Sequence, residues 1–189
     1  MELKRSATLS LITVICAAYL INLIHPAFEQ DLFLIRRAIL SDGALHGVGA
    51  GEWWRIFTVA LVHGSIFHLG FNMYALMVLG NPLEMAFGKA RFLLVFAISL
   101  AAGSAASLLL NPSNQPSVGA SGAIFGLFGA LAIAGKRIGA DVRSITVVIA
   151  LNFALSFVLS GIDWHAHIGG LVGGAIAGNF LLKRPTGRW

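Results

Sequence analysis

Six stretches of this chain stay apolar for about the length a helix needs to cross a bilayer, roughly 20 residues. They are Ser6–Ile24, Ile66–Leu83, Phe92–Leu110, Val118–Gly135, Ser144–Ile162 and Trp164–Leu182. The gaps between them collect the charges and the turn residues. Asn81-Pro82 and Gly88 fall near the end of the second stretch, and Asn111-Pro112 through Pro116 follows the third. Residues 139–143 separate the fourth from the fifth, and Gly161 with Asp163 makes a tight last turn. The pattern predicts an all-α membrane protein, a bundle of six transmembrane helices forming one domain over residues 1–189. The first gap, 26–65, is too long for a turn. Its second half, Trp53-Trp54-Arg55-Ile56-Phe57, is amphipathic and aromatic, which predicts a partly helical, membrane-associated outer loop lying in the interface. A seventh crossing there would be too short.

Composition agrees with this pattern. Of 189 residues, 57% are hydrophobic and only 11% are charged, against about 25% charged in soluble domains, so most of the surface is expected to face lipid. The 22 glycines fit helices whose backbones approach closely. A net charge of +5 would suggest nucleic acid in a soluble protein. Here the basic residues lie in short loops and at the termini, where they set orientation. With the N-terminus in the cytoplasm, Lys4, Arg5, Lys89, Arg91, Lys136, Arg137, Arg143, Lys183, Arg184 and Arg188 are inside, and only Arg36, Arg37 and Arg55 are outside. Both termini are therefore expected in the cytoplasm, and the second, fourth and sixth helices run inward from the outer face. The single cysteine, Cys16, excludes an internal disulfide and a cysteine-built zinc site. The N-terminal run resembles a signal peptide without a convincing cleavage site and is expected to remain as the first helix.

Ionisable and polar groups inside membrane helices are costly, and they are functional candidates by default. His68 and Asn72 lie four apart on one face of the second helix, Ser121 opens the fourth, and His165 and His167 open the sixth; His63 just precedes the second. Each has a plain reading as interhelical glue, small-residue packing or a solvated boundary residue. Glycine spacing links two of them. Gly122, Gly126 and Ala130 recur at intervals of four on the fourth helix, as do Gly170, Gly174 and Gly178 on the sixth. Such small-residue faces allow backbones to nearly touch. If these two meet, Ser121 and His167 arrive at one depth, with His68 at the same level, about 5–10 Å below the outer surface at 1.5 Å rise per residue.

A serine hydroxyl becomes a nucleophile when an adjacent base takes its proton, and neutral His167 is such a base. A helix N-terminus at Ser121 offers backbone N–H groups and partial positive charge to an oxyanion, and His68 and Asn72 are further donors. Asp163 is one turn before His167 and nearer the water, so the expectation is a dyad rather than a triad.

At these residues the chain resembles the rhomboid family of intramembrane serine proteases. The likeness rests on Trp54-Arg55, on His63 with His68-Leu-Gly-Phe-Asn72, and on the Gly80, Glu84, Gly88 pattern. It continues in Gly119-Ala-Ser121-Gly122 and in Ala166-His167-Ile-Gly-Gly170 followed by Gly174, in order over nearly the whole chain. The resemblance implies that Ser121 is the nucleophile, His167 the base, and His68, Asn72 and the Ser121 N–H the oxyanion donors. Gly119, Gly122, Phe125, Gly170, Gly174, Trp54 and Arg55 are implied as supporting residues. It also implies a cavity open to the extracytoplasmic side, of a prokaryotic cytoplasmic membrane in a minimal protein of this kind. Substrates would be single-spanning membrane proteins cut near their outer end, admitted past a mobile fifth helix where Phe153 and Phe157 would face Phe71. Beyond substrates and membrane lipids no partner is implied, and no cofactor. One departure is Phe125, where many members carry a tyrosine: the ring can stack on His167, but the hydroxyl is lost.

Three rival readings differ at specific features. A catalytically inactive relative that binds membrane clients would usually lack the serine or the histidine, and both are present. A channel or transporter is disfavoured by the lack of an inverted repeat and of mid-membrane acids other than Glu84 near the inner end. A metal or haem site is disfavoured because the histidine spacings of five and two do not share a helix face and no HExxH motif occurs.

Overall fold

The computed structural model describes residues 6–138 and 162–181, with the side chains of 136–138 excepted. The expected fifth helix, with Phe153 and Phe157, lies outside the described residues. Helix α1 is Ala7–Ile24, α2 is Ala27–Leu32, α3 is Arg55–Thr58, α4 is Ile66–Phe87, α5 is Lys89–Leu110, α6 is Ser121–Ile138 and α7 is Trp164–Leu181. Strands β1 (Ala38–Ile39) and β2 (Leu45–His46) pair antiparallel between α2 and α3. Two short 3₁₀ turns, Val48–Ala50 and Val59–Leu61, flank α3.

Helices α1 and α5 are each long and apolar enough to cross a membrane. The α3 segment through Leu61 and α4 would together make a further span, but the two are bent by 101° at the break. The loop helix thus lies across α4 rather than continuing it. Apolar side chains point outward around the bundle, among them Leu23, Phe71, Leu109 and Phe180. In water such a surface would aggregate; in a bilayer it meets lipid.

Helix α1 starts where its free N–H groups are satisfied. Ser6 caps it by accepting from the Leu9 N–H, and Glu84 reaches across from α4. The Glu84 carboxylate accepts from the N–H groups of Ala7 and Thr8 at 2.8 and 2.9 Å and from the hydroxyls of Ser6 and Thr8, both at 2.8 Å. An acid here completes the helix N-terminus and opposes its dipole, so α1 and α4 are pinned at one level. Gly80, one turn earlier on α4, leaves the space that Thr8 occupies.

Several helix boundaries differ from the sequence pattern: α5 starts at Lys89 rather than Phe92 and α6 runs to Ile138 rather than Gly135, and two further shifts have a visible cause. Helix α4 runs four residues beyond Leu83, with Pro82 inside it. Proline forfeits one intrahelical bond, but Leu83 and Phe87 are buried and Glu84 is anchored to α1, so the helix continues. It stops at Gly88, whose φ of 79° leaves the helical region. Helix α6 begins at Ser121 rather than Val118. Ser117 is instead bridged to Leu34, its N–H donating at 2.8 Å and its carbonyl accepting at 3.0 Å. Gly119 then takes a φ of 113°, which no helix accommodates.

Glycine decides how α5, α6 and α7 assemble. A side chain at Gly170 would overlap the Gly122 backbone, and one at Gly174 would overlap the Gly126 backbone. A Cβ at Gly178 would lie 2.7 Å from the Ala130 Cα. The two stripes read from the sequence therefore face each other, backbone on backbone. Gly126 also receives Ser99 of α5, and Gly173 receives Ala102. Close approach of this kind replaces the hydrophobic drive that lipid removes, because packing is what remains.

Candidate active site

The contact between α6 and α7 brings Ser121 and His167 together. Ser121 Oγ lies 2.9 Å from His167 Nε2, a hydrogen bond across two helices that are 46 residues apart in sequence. For Nε2 to accept from the hydroxyl, the imidazole must be neutral with its proton on Nδ1. The His167 ring is buried and lies flat on Phe125, with centroids 4.1 Å apart and planes within 9°. Phe125 is one turn below Ser121 on the same face of α6, so one helix supplies both the hydroxyl and the surface that fixes the ring.

Ser121 is the first residue of α6, and the Ala120 carbonyl accepts the first intrahelical bond from Ile124 at 3.0 Å. The N–H groups of the opening turn consequently point out of the helix beside the serine. Gly119 is held just before it by donating its N–H to the Val59 carbonyl at 3.0 Å. The His68 ring packs over Gly119, so that a Cβ there would sit 2.8 Å from His68 Nε2 and 3.7 Å from Ser121 Oγ. His68 and Ser121 thus border the same small space. His63 stands edge-on to His68, with centroids 5.0 Å apart. Asn72 is buried one turn below His68; its Nδ2 donates to the His68 carbonyl at 2.8 Å. A narrow cleft lined by Ser117, Val118, Gly119, Gly122 and Ala166 leads to the serine.

The loop before α4 is built around Arg55, whose side chain is fully buried. Its Nε donates to Glu52 at 2.7 Å, and one terminal nitrogen donates to the carbonyls of Gln30 and Phe33 at 2.7 and 2.9 Å. Trp54 donates its indole N–H to the Asp31 carbonyl at 3.1 Å. Glu52 also accepts from the Gly47 N–H and faces His46, which in turn meets Asp42. Burial acts to raise the Glu52 carboxyl, but hydrogen bonds from Arg55, Gly47 and His46 outweigh it and hold it at about 2. The same two carboxylates raise His46 above its ordinary value. Arg55 and Trp54 therefore shape the loop and do not touch the serine pair.

A Rhomboid domain model matches residues 50–184, well over half of the chain. The chain belongs to the rhomboid family. Rhomboid protease GluP of Bacillus subtilis is 42% identical over 135 residues, covering 69% of this chain and 26% of GluP. Putative rhomboid protease YdcA of the same organism is 37% identical over 148 residues, covering 76% of this chain and 74% of YdcA. RHOMBOID-like protein 4 of Arabidopsis thaliana is 37% identical over 150 residues, covering 75% of this chain and 37% of that protein. The chain thus spans about a quarter of GluP and about three quarters of YdcA. Rhomboids are integral membrane proteins that act on membrane-protein substrates, and the apolar helices here fit that setting.

Within this rhomboid the structure gathers Ser121, His167, Phe125, His68 and Gly119 at one point, and puts Gly122, Gly170 and Gly174 in the helix contact that carries them. Phe71 is exposed on the surface of α4. His165 does not join the pair: its Nδ1 lies 2.6 Å from Asn111 Oδ1 at the end of α5. Sequence reasoning passed over Ser107 and Asn111 and weighed Asp163 only as a third triad member; the three connect α5 to the start of α7. Only Asp163, at the N-cap position of a helix, carried a visible signal.

Proposed function

We propose that the chain is an intramembrane serine endopeptidase that hydrolyses peptide bonds in or near the membrane-spanning segments of single-spanning proteins. The observation that carries this reading is the 2.9 Å hydrogen bond between Ser121 Oγ and His167 Nε2, at a helix N-terminus in a protein of this family. Ser121 Oγ attacks the scissile carbonyl as its proton passes to His167 Nε2. The tetrahedral oxyanion is held by the Ser121 N–H, by His68 and by the second Nδ2 hydrogen of Asn72, whose first is bonded to the His68 carbonyl. Collapse breaks the C–N bond, and His167 gives its proton to the leaving amine. A water, deprotonated by His167, then releases the acyl group from Ser121.

Burial of His167 against Phe125 supports the dyad reading, because stacking fixes the ring in the plane that proton transfer needs. The basic residues support cytoplasmic termini and a site reached from the extracytoplasmic side. The exposed Trp53, Trp54 and Phe57 support a first loop resting in the outer interface among lipid headgroups. The chemistry of the donor set needs no metal or cofactor.

The test is reaction of the detergent-purified protein with a fluorophosphonate and cleavage of a single-spanning reporter in proteoliposomes. The parent should do both, and Ser121→Ala and His167→Ala should do neither. A folded parent that neither labels nor cleaves belongs instead with client-binding, inactive relatives.

A further inference from the structure

Asp163 lies one residue before α7, and its two carboxylate oxygens are committed in different directions. Oδ1 accepts from the Ala166 N–H at 3.0 Å and so caps the helix that carries His167. Oδ2 accepts from the hydroxyl of Ser107 on α5. Asn111, one turn further along α5, donates Nδ2 to Ser107 Oγ at 3.1 Å, and its Oδ1 meets His165 Nδ1. Since an amide oxygen only accepts, His165 is the donor there. Ser107 and Asn111 are buried. The end of α5 and the first turn of α7 are thus closed by side chains from both helices, and the His167 N–H donates to the Asp163 carbonyl at 3.3 Å.

We propose that Asp163 is a positioning residue for His167, bolting the start of α7 to Ser107 of α5 so that the imidazole stays in register with Ser121. The inference rests on the catalytic reading of that pair. Two consequences follow from the geometry. The first turn of α7 is tied to α5 through Asp163 and Ser107. A carboxylate is also placed four residues before the histidine, on the same helix face, where it favours the imidazolium that forms when Ser121 is deprotonated. Burial acts to raise the Asp163 carboxyl, but hydrogen bonds from Ser107 and the Ala166 N–H, with Asn111 and Ser117 contributing, outweigh it and keep it below the usual range. The negative charge is therefore present at neutral pH.

The experiment uses the full chain in proteoliposomes with a single-spanning reporter substrate, comparing the parent with Asp163→Asn, Ser107→Ala and the double variant. Asparagine keeps the size and an acceptor for the cap while removing the charge. Misplacement of a reacting group by about 1 Å costs on the order of 100-fold. Each single variant is accordingly expected to lower kcat roughly 10- to 100-fold with KM within about twofold. The double variant should lose little more than the worse single, because the two residues act through one contact. An unchanged kcat in Asp163→Asn, a loss that appears in KM alone, or losses that multiply in the double variant would overturn the proposal. If Asp163→Asn does not fold, Ser107→Ala carries the same comparison. An inactive parent overturns the catalytic reading itself, whereas an active parent with unaltered variants overturns only the role of Asp163.

Discussion

The substitution Gly174→Ala separates packing from chemistry, because Gly174 lies two turns below His167 and touches no reacting atom. Its added methyl would point into the Gly126 backbone. Real Cβ atoms essentially never approach within 3.0 Å of another heavy atom, and here the obstacle is main chain, which cannot rotate away. Helix α7 must therefore retreat from α6 by on the order of 1 Å, since close-packed interiors transmit strain rather than absorb it. Overpacking of this kind costs about 1–3 kcal/mol of stability. The same retreat stretches the 2.9 Å contact between Ser121 and His167, and a misplacement of that size costs about 100-fold in rate. Fluorophosphonate labelling rate and melting temperature in detergent should both fall. Gly178→Ala, where the methyl would meet Ala130 at 2.7 Å, should do the same more mildly. Gly70→Ala is the control. Gly70 sits between His68 and Asn72, yet a Cβ there meets nothing within 4 Å, so it should leave labelling intact and hold or raise stability. Parent-like labelling and melting for Gly174→Ala would refute the packing argument.

Three further outcomes are expected. Gly119→Ala places a side chain at a φ of 113° and 2.8 Å from the His68 ring; reporter cleavage should fall at least tenfold, and retained activity would show that His68 is free to move. Arg55→Ala strands Glu52 and the carbonyls of Gln30 and Phe33; breaking a buried pair costs about 3–5 kcal/mol, so the melting temperature should drop steeply, while a shift of a degree or two would contradict the loop's dependence on it. Glu52 is held at about 2 against an ordinary 4.5, so its contribution is present in full above pH 4.5 and disappears as pH falls through about 2. Limited proteolysis of the first loop should accelerate over that window in the parent, and Glu52→Gln should be cleaved at a rate that does not change there.

The parts of this account legible in the sequence are those that depend on one helix at a time or on simple repetition. Apolar length gives α1 and α5, and the spacing of Gly122 and Gly126 against Gly170 and Gly174 announces a close helix pair, because only glycine permits that approach. Boundaries were less legible. Pro82 reads as a stop, and nothing local reveals that Glu84 and Phe87 gain enough from α1 and the core to carry α4 past it. Val118 reads as helical, and only its surroundings disclose that Ser117 is pairing with Leu34 instead. The polar contacts that join distant segments were least legible. Arg55 meets Gln30 and Phe33, and Asp163 meets Ser107, across separations that no periodicity encodes. Phe125 shows both sides: the family resemblance implies a stacking partner for His167, while the plane-to-plane geometry emerges only from the packed helices.

The central claim is that Ser121 is a nucleophile made reactive by His167. Its most direct test is the rate of covalent fluorophosphonate attachment, with the modified residue located by mass spectrometry of the intact chain and its peptides. The account predicts one adduct, on Ser121, formed rapidly in the parent and lost in both Ser121→Ala and His167→Ala when each is folded. Undiminished labelling of Ser121→Ala, or attachment to Ser121 at the parent's rate in His167→Ala, would contradict it.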